Sequence, residues 1–163
     1  MVERLVTSAR AARSELSKAE ILELLSFSCN DEAFAVDLRA VHEIVIPPPI
    51  THVPRAAPAV LGVCSVRGQL ATVVDLRRVL GLPAMDTERR ARILLARTSE
   101  TDLVGLRVDE VKQVVRLNVS QIEFTGQAFG NDGTEGVRGI GRPPGGEVIV
   151  LLDLIAVLTK GCG

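Results

Sequence analysis

The feature that most constrains the fold is a repeated order of short elements. AVDLRAVHEIV (35–45) aligns with GLRVDEVKQVV (105–115), and QLATVVDLRRVLG (69–81) aligns with EVIVLLDLIAVLT (147–159). Each half reads as a strand, a V-x-x-[IV]-V segment, a proline- or glycine-rich loop, a second strand and a short aspartate-capped helix. Identities are few, so convergent strand–helix grammar is the competing explanation; recurrence in the same order favours duplication. Many short strands per half favour small barrels. The expected architecture is mainly β, with two related barrels and short helices. An N-terminal extension covers 1–19 and one domain covers 20–160, with halves near 20–84 and 90–160 that can exchange elements.

The local signals fill in this frame. ILELLSFSC (21–29) reads as a strand, and NDE (30–32) as a turn because Asn and Asp tolerate turn geometry. In AFAVDLRAVHEIVI (33–46), Phe34, Val36 and Leu38 alternate with polar residues, the period of a half-buried strand. PPPITHVPRAAP (47–58) holds five of the eight prolines and reads as an extended connector, since proline lacks the N–H a sheet ladder needs. AVLGVCSV (59–66) and QLATVVDL (69–76) pair around Arg67-Gly68; Asp75 then caps LRRVL, with Gly81 and Pro83 beyond its end. ARILLAR (91–97) and DLVGLRV (102–108) are strands joined by TSET, and VKQVVRL (111–117) is another. Residues 125–146 are glycine-rich and read as loops; EVIVLLDL (147–154) is a strand, and Asp153 caps LIAVLTK.

Composition removes several classes of function. The net charge is -1, and the only aromatic residues are four phenylalanines, so neither a basic footprint nor a base-stacking platform for nucleic acid is present. Cys29, Cys64 and Cys162 lack metal-ligand spacing and read as free thiols in a reducing compartment. The first residues lack the apolar core of a signal peptide, and no run reaches the ~20 apolar residues of a membrane span. A cytoplasmic protein is expected, without direct membrane insertion and brought to any membrane by a partner.

Catalytic signatures are missing too. His42 and His52 are the only histidines and have no convergent partners. No nucleophile elbow or P-loop occurs; GIGRPPGG (139–146) has the wrong glycine spacing and precedes a strand, where a phosphate loop precedes a helix. Asp75 and Asp153 have capping as sufficient reason for their positions. No catalytic, metal or cofactor-binding residue is expected. Two contact elements remain: VHEIV (41–45) with its proline connector, and Arg67-Gly68. For Glu43 and Arg67 the plain alternative is a solvated strand edge, or an ion pair with each other. Arginine suits interfaces because its planar fork binds carboxylates bidentately.

At these residues the sequence resembles a known family. Val41-His42-Glu43-Ile44, ITHVP (50–54), Pro58, Gly62-Val63, Val66-Arg67-Gly68, Val74-Asp75-Leu76 and Leu80-Gly81 follow one another as in the CheW-like domain of bacterial chemotaxis coupling proteins, and IVLLDLIAVL is similar to that family's ending. The resemblance spans about 20–160. It implies two SH3-like five-stranded barrels and a non-enzymatic scaffold, without cofactor. That scaffold bridges the cytoplasmic tips of chemoreceptors and the regulatory domain of a CheA-type histidine kinase at receptor arrays. It carries Val41, Glu43 and Ile44 onto a contact surface. It places Arg67 and Gly68 at a receptor-facing groove, with Val63 and Val66 as apolar neighbours. Cys64-Ser65-Val66 departs from the commoner x-Asn-Leu before the arginine. One alternative is a specialised adaptor that binds receptor but not kinase, in a gliding, pilus-type or other non-flagellar pathway. A remoter one is a small enzyme or ligand-binding barrel using His42, Glu43 and Arg67.

Overall fold

A computed structural model describes residues 20–83, 89–125 and 136–163; the extension expected over 1–19 lies outside them. The chain runs β1 (Ile21–Cys29), β2 (Glu32–Asp37), β3 (Glu43–Val45), β4 (Val60–Val66), β5 (Gln69–Asp75), α1 (Leu76–Leu80), β6 (Arg92–Arg97) and β7 (Leu103–Val108). It continues through β8 (Glu110–Asn118), β9 (Ile122–Phe124), β10 (Val137–Gly141), β11 (Ile149–Leu152) and α2 (Leu154–Gly161). Turn chemistry sets the joints. Asn30 and Asp31 take φ of 51° and 63°, the two left-handed residues of a tight hairpin, so Glu32 already belongs to β2. Asp75 and Asp153 accept from the backbone N–H of Arg77 and Ala156 and start α1 and α2 as their sequence signals indicate.

The strands form two sheets, ordered β8-β1-β2-β11-β10-β9 and β3-β6-β7-β5-β4. Laid on the sequence repeat, these are one order twice. Hairpin β1–β2 corresponds to β6–β7, β8 to β3, β11 to β5 and β10 to β4. The sheets therefore do not divide at residue 84. Each takes a hairpin from one half and the outer strands from the other. Parallel pairs carry the exchange: β2 with β11, and β7 with β5. The first sheet also departs from five strands. Beyond β8 a one-turn 3-10 helix (Val119–Gln121), boxed by Asn118 and Gln121, redirects the chain into β9 as a sixth.

Three cores follow from strand alternation. Leu22, Leu24, Ala35, Leu117, Ile122, Ile149 and Leu151 fill the first barrel. Cys64, Ala71, Val73, Ile93, Leu95 and Leu103 fill the second. The largest cluster joins both sheets and both helices through Leu25, Phe27, Phe34, Val36, Val74, Leu94, Leu106 and Leu158, among others. β6 shows why its sequence is continuously apolar: Ile93 and Leu95 face the barrel interior while Leu94 and Ala96 face the shared core.

Charged groups are buried where the chain crosses between sheets. Arg107 meets Asp109 at 3.3 Å, and Arg77 meets Asp75 at 3.3 Å. Asp109 also accepts from the Asn30 backbone N–H at 2.8 Å, while its own N–H donates to the Ser28 carbonyl. The first hairpin is thereby fastened to the β7–β8 crossover. Burial, with Asp109 and Asp75 nearby, pushes the Cys29 thiol from 9.0 up to about 12. A raised thiol value favours the folded state fully below pH 9.0 and loses that contribution as pH climbs toward 12. Aromatic thiol reagents at pH 8 should label Cys162 rapidly in the folded protein and reach Cys29 and Cys64 only on unfolding. Fast labelling of Cys29 would contradict this burial.

The glycine-rich stretch expected to be loop differs in one part. Residues 126–135 lie outside the description, but 137–141 form β10, between β9 and β11. Glycine reads as a breaker in sequence; here it permits close approach. A Cβ on Gly139 would strike the Glu123 carbonyl of β9, and the β10–β11 register shifts between Val137 and Gly139. Gly139→Val should therefore destabilise the protein by about 1–3 kcal/mol, measured by urea unfolding, and expose the β9 amides to hydrogen exchange.

Candidate protein-contact site

The segment carrying Val41 to Ile44 is positioned from its N-terminal side. Asp37 accepts from the Arg39 backbone N–H at 2.9 Å and caps a 3-10 turn over Leu38–Ala40. The Arg39 guanidinium donates to both oxygens of the same carboxylate, and this pairing holds the Asp37 carboxyl below its ordinary value. The resulting stabilisation is present above the ordinary carboxylate range and fades as pH falls through the lowered value. The turn releases the chain into β3, which pairs with β6 at Glu43↔Leu95. Alternation then sorts the side chains: Val41, Glu43 and Val45 are half-buried, and His42, Ile44 and Ile46 exposed.

Arg67 and Gly68 form the two-residue β4–β5 turn, with φ of 50° and 79°. Two positive φ values are what a tight hairpin of the right twist requires. Gly68 meets this freely. Arg67, with a Cβ, is roughly 1 kcal/mol less at ease than glycine or asparagine would be. Its guanidinium reaches the Glu43 carboxylate at 2.8 Å. β3 and β4 are the two edges of the second sheet, so this pair spans the seam where the sheet curls closed. Of the two side chains, Arg67 is 82% exposed and Glu43 21%.

His42, Glu43, Val66 and Arg67 line one depression of about 210 Å³ at the mouth of the second barrel. Val63 does not join them: its N–H and C=O exchange hydrogen bonds with Thr51 of the connector, and only Val66 borders the depression. Val41 packs against the shared core instead, and Ile44 faces solvent on the outer side of β3. The sequence reading missed Gln69 and Arg97, which complete the rim; Arg97 donates to the Gln69 side chain at 3.4 Å. Arg97 lies two residues beyond Leu95, the β6 partner of Glu43, so strand register would have revealed it.

The depression is small beside the ~300–1,000 Å³ of ligand clefts. No group of three or more metal-ligating side chains occurs among the described residues. Its chemistry is that of a shallow contact surface: two exposed guanidinium forks, Arg67 and Arg97, one carboxylate, Glu43, and the Gln69 amide. An ion pair this exposed contributes about 0–1 kcal/mol. Arg67→Ala should therefore leave the melting temperature within a degree or two, whereas Arg67→Asn, relieving the turn, should raise it by about 2–4 °C. A large loss in either would make Arg67 a structural residue.

Residues 23–161 match the family described as CheW-like domain. The chain is similar to the chemotaxis protein CheW of Thermotoga maritima, 31% identical over 85% of this chain and 88% of that protein. It is likewise similar to the chemotaxis protein CheW of Rhizobium meliloti, 32% identical over 85% and 88%. Among solved structures it resembles the scaffolding protein TtCheW from Thermoanaerobacter tengcongensis, with a TM-score of 0.73, 25% identity, and 83% of this chain and 92% of that one covered. With the paired SH3-like sheets, the exposed seam pair and a family match over most of its length, the chain belongs to the CheW-like family and is a chemotaxis coupling adaptor.

Proposed function

We propose that this adaptor acts without catalysis or cofactor, in the cytoplasm at receptor arrays, between chemoreceptor tips and the regulatory domain of a CheA-type histidine kinase. Arg67 presents its guanidinium to the helical tip of a receptor. The kinase domain, a related fold, packs barrel to barrel. Val41, Glu43, Ile44, Val63, Val66, Arg67 and Gly68 form or shape the contact surface. The observation that carries this reading is the seam pair: Arg67 sits in a strained turn, 82% exposed, where its ion pair with Glu43 adds little stability. A guanidinium held out at such a place suits a partner's carboxylate or carbonyls better than it serves the fold.

The test is binding of the purified full chain to the kinase regulatory domain and to receptor cytoplasmic fragments from the same genome. Ile44→Glu is the apolar variant of choice, because Ile44 is exposed while Val41 supports the core. Dissociation constants in the micromolar range are expected, weakened about tenfold by Arg67→Ala for the receptor fragment, equivalent to about 1.4 kcal/mol. Receptor binding without kinase binding would identify the specialised adaptor. Binding to neither, with all proteins folded, would defeat the coupling assignment of these surfaces.

A further inference from the structure

The inward positions of the second barrel change character at its mouth. Along β6, Ile93 and Leu95 fill the barrel, and Arg97 is the next residue on that face. Along β5, Val73 and Ala71 lead to Gln69; along β3, Val45 leads to Glu43. These strands end in polar side chains where the alternation of a filled barrel would call for apolar ones. With the Arg67 turn they surround the depression, above a floor of Val66, Leu95 and Leu103.

The rim groups are unequally satisfied. Arg67 is tied to Glu43 at 2.8 Å. Arg97 is exposed and has no ion-pair partner among the described residues. It donates to the neutral Gln69 side-chain oxygen at 3.4 Å, beyond the usual range of an N–H···O bond. That contact occupies the Gln69 oxygen and leaves the amide N–H groups as further donors on the same rim. The rim therefore sets two guanidinium groups against one carboxylate, with more donors than acceptors. A carboxylate ligand answers both imbalances. The volume of about 210 Å³ admits one side chain rather than a length of peptide, and the apolar floor suits the methylenes of a glutamate.

We propose that Arg97 receives an acidic side chain from the receptor tip, pairing bidentately with its carboxylate, while Gln69 and Arg67 donate beside it. This rests on the reading of the surface as receptor-facing. It goes further in placing the principal charge pair on β6 rather than in the turn. Arg67 reaches a partner only by sharing or leaving Glu43, whereas Arg97 gives up one long contact to a neutral group.

The test is titration of the full chain with the receptor cytoplasmic fragment from the same genome. Arg97→Ala should weaken binding about tenfold or more, with the melting temperature held within about 1–2 °C because the side chain is exposed. Arg97→Lys should bind within about threefold of Arg97→Ala, since an ammonium keeps the charge and loses the fork. Gln69→Glu, which sets a competing carboxylate beside Arg97, should also weaken binding about tenfold. Arg97→Glu should abolish binding, and arginine in place of one acidic residue of the fragment should restore it at least about tenfold. If Arg97→Ala stays within twofold while Arg67→Ala weakens binding, the inference falls and the coupling reading stands. Full recovery by Arg97→Lys, no rescue by any replacement in the fragment, or a loss confined to the kinase domain would each overturn it as well. An unaltered chain that binds no receptor fragment would sink both.

Discussion

The constraint on which the rest depends is the exchange of strands between halves. β2 finds its parallel partner in β11, and β5 finds its own in β7. Neither half holds a complete sheet, so neither barrel closes until residues far apart along the chain have met: Phe34 with Val150 in the first sheet, and Ala71 with Leu103 and Glu43 with Leu95 in the second. The shared apolar cluster is the consequence, because strands crossing between sheets carry apolar residues on both faces. The buried charges follow as well. A crossover strips backbone groups of ladder partners, and Asp109 supplies one to Asn30. Buried pairs of this kind are a poor source of net stability but strongly resist the loss of one member. They favour one mutual arrangement of the barrels.

The seam of the second barrel is where that fold builds the candidate contact site. Closure brings β3 against the β4–β5 hairpin, which sets Glu43 beside Arg67 although their strands share no hydrogen bonds. Apolar side chains beneath, Val45 and Val66, serve the closure itself. The ion pair above is weak because the Arg67 guanidinium is solvent-exposed, so in the proposed contact a partner's carboxylate would compete with Glu43 for it at little expense to the fold. An arginine at a left-handed turn position, where asparagine would be easier, is consistent with selection for the side chain over the backbone.

Much of this was legible in the sequence because local chemistry dictated it. Asp75 and Asp153 cap helices from their side chains alone, Asn30 and Asp31 suit the left-handed turn they make, and the prolines of 47–58 exclude a ladder. The order of motifs also sufficed to recognise the family and the Arg67-Gly68 turn. What was not legible depends on partners distant in the chain. β10 is a strand because β9 and β11 flank it, and its glycines read as loop until the close approach of Glu123 is known. Arg97 joins the site only through the β3–β6 register, and Val63 leaves it only because Thr51 bonds its backbone. The repeat was visible and an exchange of elements between its halves was expected, but not which strands cross.

The two barrels show how one topology diverges through side-chain size. In the second, Leu95, Val66 and Leu103 reach the mouth and leave a 210 Å³ depression, so what remains for recognition is a surface. In the first, serine and alanine at the open end leave 710 Å³. The difference is set at a few inward positions: Ser26, Ser28 and Ala33 where leucine or valine would fit the strand pattern equally well. A larger apolar residue at Ser26 would also lose the hydroxyl that bridges the Gln113 N–H and C=O at the bulge. That leaves part-buried backbone groups without their partner, a penalty of about 1 kcal/mol. The bulge thus keeps a small hydroxyl residue at Ser26, and the small residue keeps the barrel end open.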